Sequence, residues 1–356
     1  MKKFISFVAS ILVIGTAFSQ KDSTEPVFKL SGSADVYYRY NFNDPKEYPY
    51  NNLTSFTNSH NSFELNMASI KVEHSSKKVD MVADLGFGER AEEFSYNDAG
   101  SKVAIKQLYV SYSPSSKIKF TLGSWATHIG YEVIDAYLNR NYSMSYMFSY
   151  GPFFHTGLKA DINLGGTNTL MLGVADPTDM KSADVKTSGN GVMPKMIIGQ
   201  YATATKDSKL KLYLNFLGGK YNDSAKMNQE DIVLTYTINS KFSLGYNGTY
   251  QSRAAKTNGK WQSSESWWGS ALYVNADPLS WFGLTLRGEY LNDNKSVLGF
   301  DSNIFATTLS ANFKIDNLTV IPELRLDNAS NNLFTKSSGD PCKSTASFIL
   351  GATYHF

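Results

Sequence analysis

Cysteine is nearly absent. Cys342 is the single thiol in 356 residues, so no disulfide can close within the chain, and without a CxxC pair a thiolate zinc site is excluded. Charge is sparse too, at 19% against about 25% in an average domain. Neither sign dominates: Lys and Arg number 34, Asp and Glu 32, and Lys2 and Lys3 are the only charges among the first twenty residues. The remaining chain is balanced, which argues against a basic surface for polyanions and against nucleic acid as a partner. Past residue 20 no apolar run approaches the ~20 residues of a membrane-spanning helix, so helical membrane proteins are excluded. The five histidines, His60, His74, His128, His155 and His355, form no HExxH and no i, i+4 pair. There is also no GxSxG, no glycine-rich phosphate loop and no calcium loop, so the expectation is no metal, no cofactor and no enzyme. His155 and Ser145 share one run but suggest no third catalytic partner, and Cys342 reads as a free thiol.

Aromatics are what the chain has in quantity: 22 Tyr, 22 Phe and 5 Trp. Met1 to Gln20 opens with two lysines, continues as the apolar run Phe4 to Ile14 and ends in Gly15-Thr16-Ala17-Phe18-Ser19. That is the pattern of a secretory signal peptide over 1–19, cleaved after Ser19, which leaves 20–356 as a single domain.

From Phe28 onward alternate positions are apolar, the period of a strand with two unlike faces. Leu210, Leu212, Leu214 and Phe216 take one face, and Lys211, Tyr213 and Asn215 the other. Ile232, Leu234, Tyr236 and Ile238 form a similar stripe, and the last run sets Phe348, Leu350, Ala352, Tyr354 and Phe356 together. About sixteen such runs can be counted, from 28–42 to 344–356, with one long run over 143–163. Tight turns alternate with long connections at Asn43 to His60, Ala91 to Ser101, Ala126 to Tyr142, Pro177 to Met193, Tyr221 to Gln229, Ala254 to Glu265, Asp293 to Phe300 and Ala329 to Lys343. Strict alternation puts the long loops at one end of an up-and-down sheet and both termini at the other. The runs are longer than the strands of soluble sandwiches and suit a tilted bilayer crossing. Tyr38 and Tyr40, Tyr109 and Tyr112, Trp267 and Trp268, Trp281 and Phe282, and Tyr354 and Phe356 lie near run ends, as interfacial girdles require. The expected fold is all-β, a transmembrane up-and-down antiparallel barrel of about 16 strands.

The segment Leu122-Gly123-Ser124-Trp125-Ala126-Thr127-His128-Ile129-Gly130-Tyr131-Glu132, then Asn141-Tyr142-Ser143, and the terminal Ala352-Thr353-Tyr354-His355-Phe356 carry a family resemblance. With the signal segment and the alternating runs, they resemble the outer-membrane β-barrel porins of Gram-negative bacteria, and within them the OmpL-like porin-2 group. The resemblance implies an outer-membrane location and a terminal aromatic that serves barrel insertion.

Sixteen tilted strands enclose a lumen wide enough for water. Asp35 with Arg39, Asp84 with Arg90, Lys106, Lys211, Arg287 with Glu289, and Glu323 with Arg325 fall on polar faces and are expected to line the pore. Each could equally be a wall ion pair that only solvates the lumen. Ala126 to Tyr142 is the third long loop, the one that folds into the barrel in general diffusion porins. It sets Glu132, Asp135 and Arg140 among Ile129, Tyr131, Val133, Ile134, Tyr137 and Leu138, more apolar than a free loop, so these three charges are candidates for the constriction. A loop packed over the barrel mouth or against a neighbouring subunit is the other reading. The implied function is passive passage of ions and small hydrophilic solutes through a water-filled channel. The runner-up is adhesion or surface binding through the long loops, and a barrel hydrolase is third. The partners implied are the outer-membrane bilayer, ions and small solutes; a homo-oligomer stays open.

Overall fold

Each strand carries one apolar and one polar face, and only a closed sheet can hide the polar one. In chain order the strands are β1 (Val27–Asn41), β2 (Ser62–Ser75), β3 (Val79–Phe87), β4 (Ile105–Ser115), β5 (Ile118–Ala126), β6 (Phe154–Gly165), β7 (Asn168–Ala175) and β8 (Met196–Ala204). They continue as β9 (Leu210–Asn222), β10 (Ala225–Thr237), β11 (Phe242–Thr257), β12 (Glu265–Leu279), β13 (Phe282–Asp293), β14 (Ser302–Ile315), β15 (Leu318–Ala329) and β16 (Ser344–His355). Every strand pairs antiparallel with the next, and β16 returns to β1 with Thr353 opposite Asp35, so sixteen strands close a barrel. The computed structural model describes residues 26–98, 100–182 and 193–356; the expected signal peptide over 1–19 lies outside them.

The faces follow the alternation. On β9, Leu214 and Phe216 are exposed on the outer wall while Tyr213 and Asn215 are buried inside. Both ends of the described chain and seven short turns share one end, and the other connections share the opposite end. At the girdles Trp281 stacks with Phe313, and Trp268 lies 5.3 Å from Tyr290. Trp267 belongs to no girdle: it is fully buried on the lumen side and its indole N–H donates to Gln251. Adjacent residues of a strand point to opposite faces, so the pair Trp267-Trp268 is necessarily split.

Three local expectations change. Tyr221 to Gln229 is not a long loop: β9 and β10 extend until residues 223–224 alone join them, with Gln229 opposite Leu217. The run 143–163 is not one strand, because β6 begins at Phe154 and Tyr146–Tyr150 is a one-turn helix, α2, capped by Ser145 accepting from the Phe148 amide. Arg90 is not on a strand either, but in the short helix α1 (Glu89–Phe94) that follows β3.

An arginine facing lipid at mid-depth costs roughly 2 to 4 kcal/mol. Leu214→Arg should therefore lower folding yield into bilayers sharply, and Tyr213→Arg, on the lumen side of the same strand, should do so far less. Folded fractions from heat-modifiable gel mobility check this, and equal yields would mean the faces are reversed.

Candidate functional site

The third loop, residues 127–153, leaves β5 and crosses the barrel interior before rejoining β6. Its course can be traced through its bonds to the wall. The Gly130 amide donates to Asp231 on β10 (3.0 Å), and the Tyr131 amide to Asn247 on β11 (3.3 Å). Tyr131 stacks on Tyr273 of β12 at 4.1 Å between ring centres. Arg140 forks onto Asp277 of β12 at 2.9 and 3.1 Å. The amides of Tyr142 and Ser143 donate to Glu323 of β15 (2.7 and 3.1 Å), and the Tyr142 hydroxyl donates to Asp35 of β1 (2.6 Å). The loop is thus held to strands on both sides of the seam between β1 and β16.

Glu132 is the hub. One of its carboxylate oxygens accepts from Arg287 at 2.7 Å and from Tyr273 at 3.0 Å, and the other from the Ser145 amide at 2.7 Å. From Arg287 the charges alternate along the wall: Arg287 lies 3.2 Å from Glu289, Glu289 3.4 Å from Arg325, and Arg325 2.8 Å from Asp327. All five are buried. Buried charges are tolerated only when each has a partner, and removing one partner typically costs about 3 to 5 kcal/mol. The loop contributes one member of this chain of charges, so the wall chemistry and the loop position are a single arrangement.

The other charges expected at the pore are also inside, in different pairings. Asp35 stands 3.5 Å from Arg90, while Arg39 donates to the carbonyls of Tyr50 and Ser59 in the first loop. Arg90 reaches the Ile134 carbonyl at 3.0 Å and lies over the Phe56 ring. Lys106 bridges Asp84 on the wall (3.2 Å) and Asp135 on the loop (2.5 Å). Asp231, on the polar face of its run, and Asp277, which reads as part of a tight turn Asp277-Pro278-Leu279 but lies on β12, are not among the expected site residues. Asp231 gathers Asn215, Asn247 and Gly130 around one carboxylate, and Asp277 holds Lys314 (3.1 Å) as well as Arg140.

Shape matches charge. A Cβ on Gly245 would stand 2.6 Å from the Tyr131 ring, one on Gly269 would stand 2.6 Å from Met147, and one on Gly351 would strike the Tyr142 ring. These strand glycines are seats for the loop's large side chains. Phe56, Phe94, Phe148 and Phe153 of the first three loops, with Phe154 at the start of β6, build an apolar core. Beside this core, where Tyr96 meets Phe153 edge-on at 6.0 Å, lies a cavity of about 890 Å3 lined in part by Gly151 and Pro152 of the third loop.

Where the loop leaves β5, His128 packs against His155 at 4.9 Å between ring centres, and its Nε2 meets the Phe216 carbonyl at 3.1 Å. Neither Nδ1 has a partner. Burial pushes the His128 imidazole down to about 4, and the nearby Lys159 cation acts in the same direction.

A closed barrel with an apolar outer wall, a charged inner wall and a loop bound across its lumen has the architecture of an outer-membrane channel. The chain belongs to the family described as putative beta-barrel porin-2, OmpL-like, which it matches over residues 27–356. It is a Gram-negative outer-membrane porin, a channel for passive diffusion of solutes. The structure is similar to the anion-selective porin from Comamonas acidovorans, with a TM-score of 0.63 at 11% identity over 93% of this chain and 100% of that one. It is also similar to the outer membrane channel DcaP of Acinetobacter baumannii (0.61, 10% identity, 94% and 99% covered). A third similar structure is OmpT of Vibrio cholerae in a trimer form (0.58, 10% identity, 93% and 99% covered). At these identities the likeness is one of fold. No curated protein sequence matches the chain.

Two measurements probe the docked loop. Gly351→Val and Gly245→Val keep every charge but remove a seat, so single-channel conductance should rise in either variant while the barrel stays heat-modifiable; unchanged conductance in both would mean the seats do not hold the loop. For pH, the sign follows from His128: an undocked loop takes a proton near pH 6.5, whereas the docked one resists until about 4. The His128 contribution to docking is therefore lost as pH falls through that window and changes no further below it. Conductance should climb over the same window, and His128→Gln should flatten the climb.

Proposed function

We propose that the third loop is the constriction of this channel and that Glu132, Asp135 and Arg140, with Arg287, Glu289 and Arg325 facing them, set which ions pass. The observation that carries the reading is the bond of Glu132 to Arg287 across the lumen. Charges held where water is scarce act strongly on a passing ion, and both signs occur here, so net selectivity is weak. Asp35, Arg39, Asp84, Arg90, Lys106 and Glu323 complete the lining on this reading. Solutes cross passively, with no catalysis and no cofactor. On this reading the leader ends at Ser19 and the mature chain begins at residue 20. The trimer form of OmpT supports a homo-oligomer here as well.

The alternative, loops that bind a surface above a sealed lumen, draws on the phenylalanine core packed between the first three loops. Planar-bilayer recording separates the two: stable ohmic steps belong to the channel, and their absence favours the adhesin.

Under a salt gradient, Glu132→Gln should move the reversal potential toward anion permeability, because Arg287 loses its partner on the loop. Arg140→Gln should move it toward cations, by less, since Lys314 still meets Asp277. Deleting the loop should raise conductance several-fold. Asp44→Asn, in the half-exposed cluster of Asp44, Lys46 and His60, should do little, because salt screens exposed charges within about 10 Å at 0.1 M. If Asp44→Asn matched Glu132→Gln, the constriction would lie elsewhere.

A further inference from the structure

The cavity beside the third loop is more than an open gap. Tyr96, Tyr150 and Tyr221 surround it, and the hydroxyl of each is already engaged by protein. Tyr150 donates to the Leu53 carbonyl (2.9 Å), Tyr96 donates to Asp179 (3.2 Å), and Tyr221 accepts from Asn97 (3.3 Å). Their apolar rings are therefore what an incoming solute meets.

The charge in the cavity is uneven. Arg253 gives Nε to Gln251 (2.5 Å) and one terminal nitrogen to the Val297 carbonyl (3.4 Å). It makes no ion pair among the described residues, although Glu265 is its register partner on β12. Lys295 is also without a carboxylate among the described residues, whereas Lys226 points to the face opposite Met227 and lies 4.9 Å over the Trp261 ring. Asp179 offers little to balance them. The amides of Phe153 and Phe154 (2.7 and 3.1 Å) and the Tyr96 hydroxyl occupy its oxygens, and burial pushes its carboxyl up to about 7. Two unpaired cations, Arg253 and Lys295, thus face one free carboxylate, Glu265, in a bowl walled by aromatic rings. A neutral sugar would use the rings but leave the cations idle, and an inorganic anion would leave the rings idle.

We propose that this cavity binds small organic anions with a flat apolar body, such as aromatic carboxylates, with the carboxylate on Arg253 and the ring against the tyrosines. The proposal rests on reading the chain as a solute channel and names the solute class its mouth gathers. A guanidinium pairs with a carboxylate through two parallel bonds, and a ring stacks without ordering many torsions, so charge and shape recognise one molecule together.

The test uses the full chain folded in detergent, titrated by calorimetry with benzoate, benzamide, acetate and maltose. Benzoate should bind saturably. Benzamide, with the ring but no charge, and acetate, with the charge but no ring, should each bind at least about tenfold more weakly, the loss of one good interaction. Arg253→Gln should weaken benzoate by a similar factor. Lys295→Gln, on an exposed loop, should weaken it by less, and provides the reading if Arg253→Gln does not fold. Benzamide equal to benzoate, maltose as tight as benzoate, no benzoate binding, or benzoate affinity unchanged in every folded variant would each overturn the proposal. Calorimetry does not require conduction, so benzoate binding to a chain that gives no ohmic steps would sink the channel reading and leave the site standing.

Discussion

The bilayer core offers backbone N–H and C=O groups no water, so each must find a partner within the protein, and a sheet can do this only by having no edge. The pairing of β16 with β1, nine residues from Ser33 to Asn41 against His355 to Ser347, removes the edge. Everything else follows from that closure. A closed sheet has an inside, the two-residue period sends half of every strand there, and the polar half becomes the wall of a passage.

A lumen lined with charge is costly unless it stays wet or the charges pair. Here most pair, and they do so with the third loop. Glu132 meets Arg287, Asp135 meets Lys106, and Arg140 meets Asp277, so each of the loop's three charges has a counterpart on the wall. The glycines beneath Tyr131, Tyr142 and Met147 let the loop lie close enough for these bonds to form. Packing and electrostatics select the same position, which is why the loop occupies a defined place in a cylinder that could hold it in many.

The barrel was legible in the sequence because strand alternation is local: each run declares its own faces, whatever its neighbours do. The third loop declared itself only in part. Its position in chain order and its mixture of three charges with apolar residues pointed inward, yet of its anchors on the wall Asp231 looked like any other polar residue of a strand and Asp277, beside Pro278, like part of a tight turn. Their role depends on residues about a hundred or more positions away, as between Gly130 and Asp231 or Arg140 and Asp277. Arg90 followed β3 closely enough to read as its continuation, although Gly88, at φ 114, turns the chain into α1. Tyr221 to Gln229 looked like a loop because polar residues crowd a strand end. Gln229 is in fact held in the wall by Gln251 (2.7 Å) and Thr249 (3.1 Å), a ladder of amides that the alternation alone does not reveal.

The third loop's attachments also tie it to the closure of the barrel. Tyr142 bonds through its hydroxyl to Asp35 on the first strand and through its amide to Glu323 on the fifteenth, and Asn66 of the second strand donates to the same hydroxyl at 3.0 Å. The loop is synthesised before half of its binding surface exists, and that surface is complete only when the first and last strands have met. An unclosed sheet therefore has no aperture of defined size. The loop's complete seat exists only where the wall has become a cylinder.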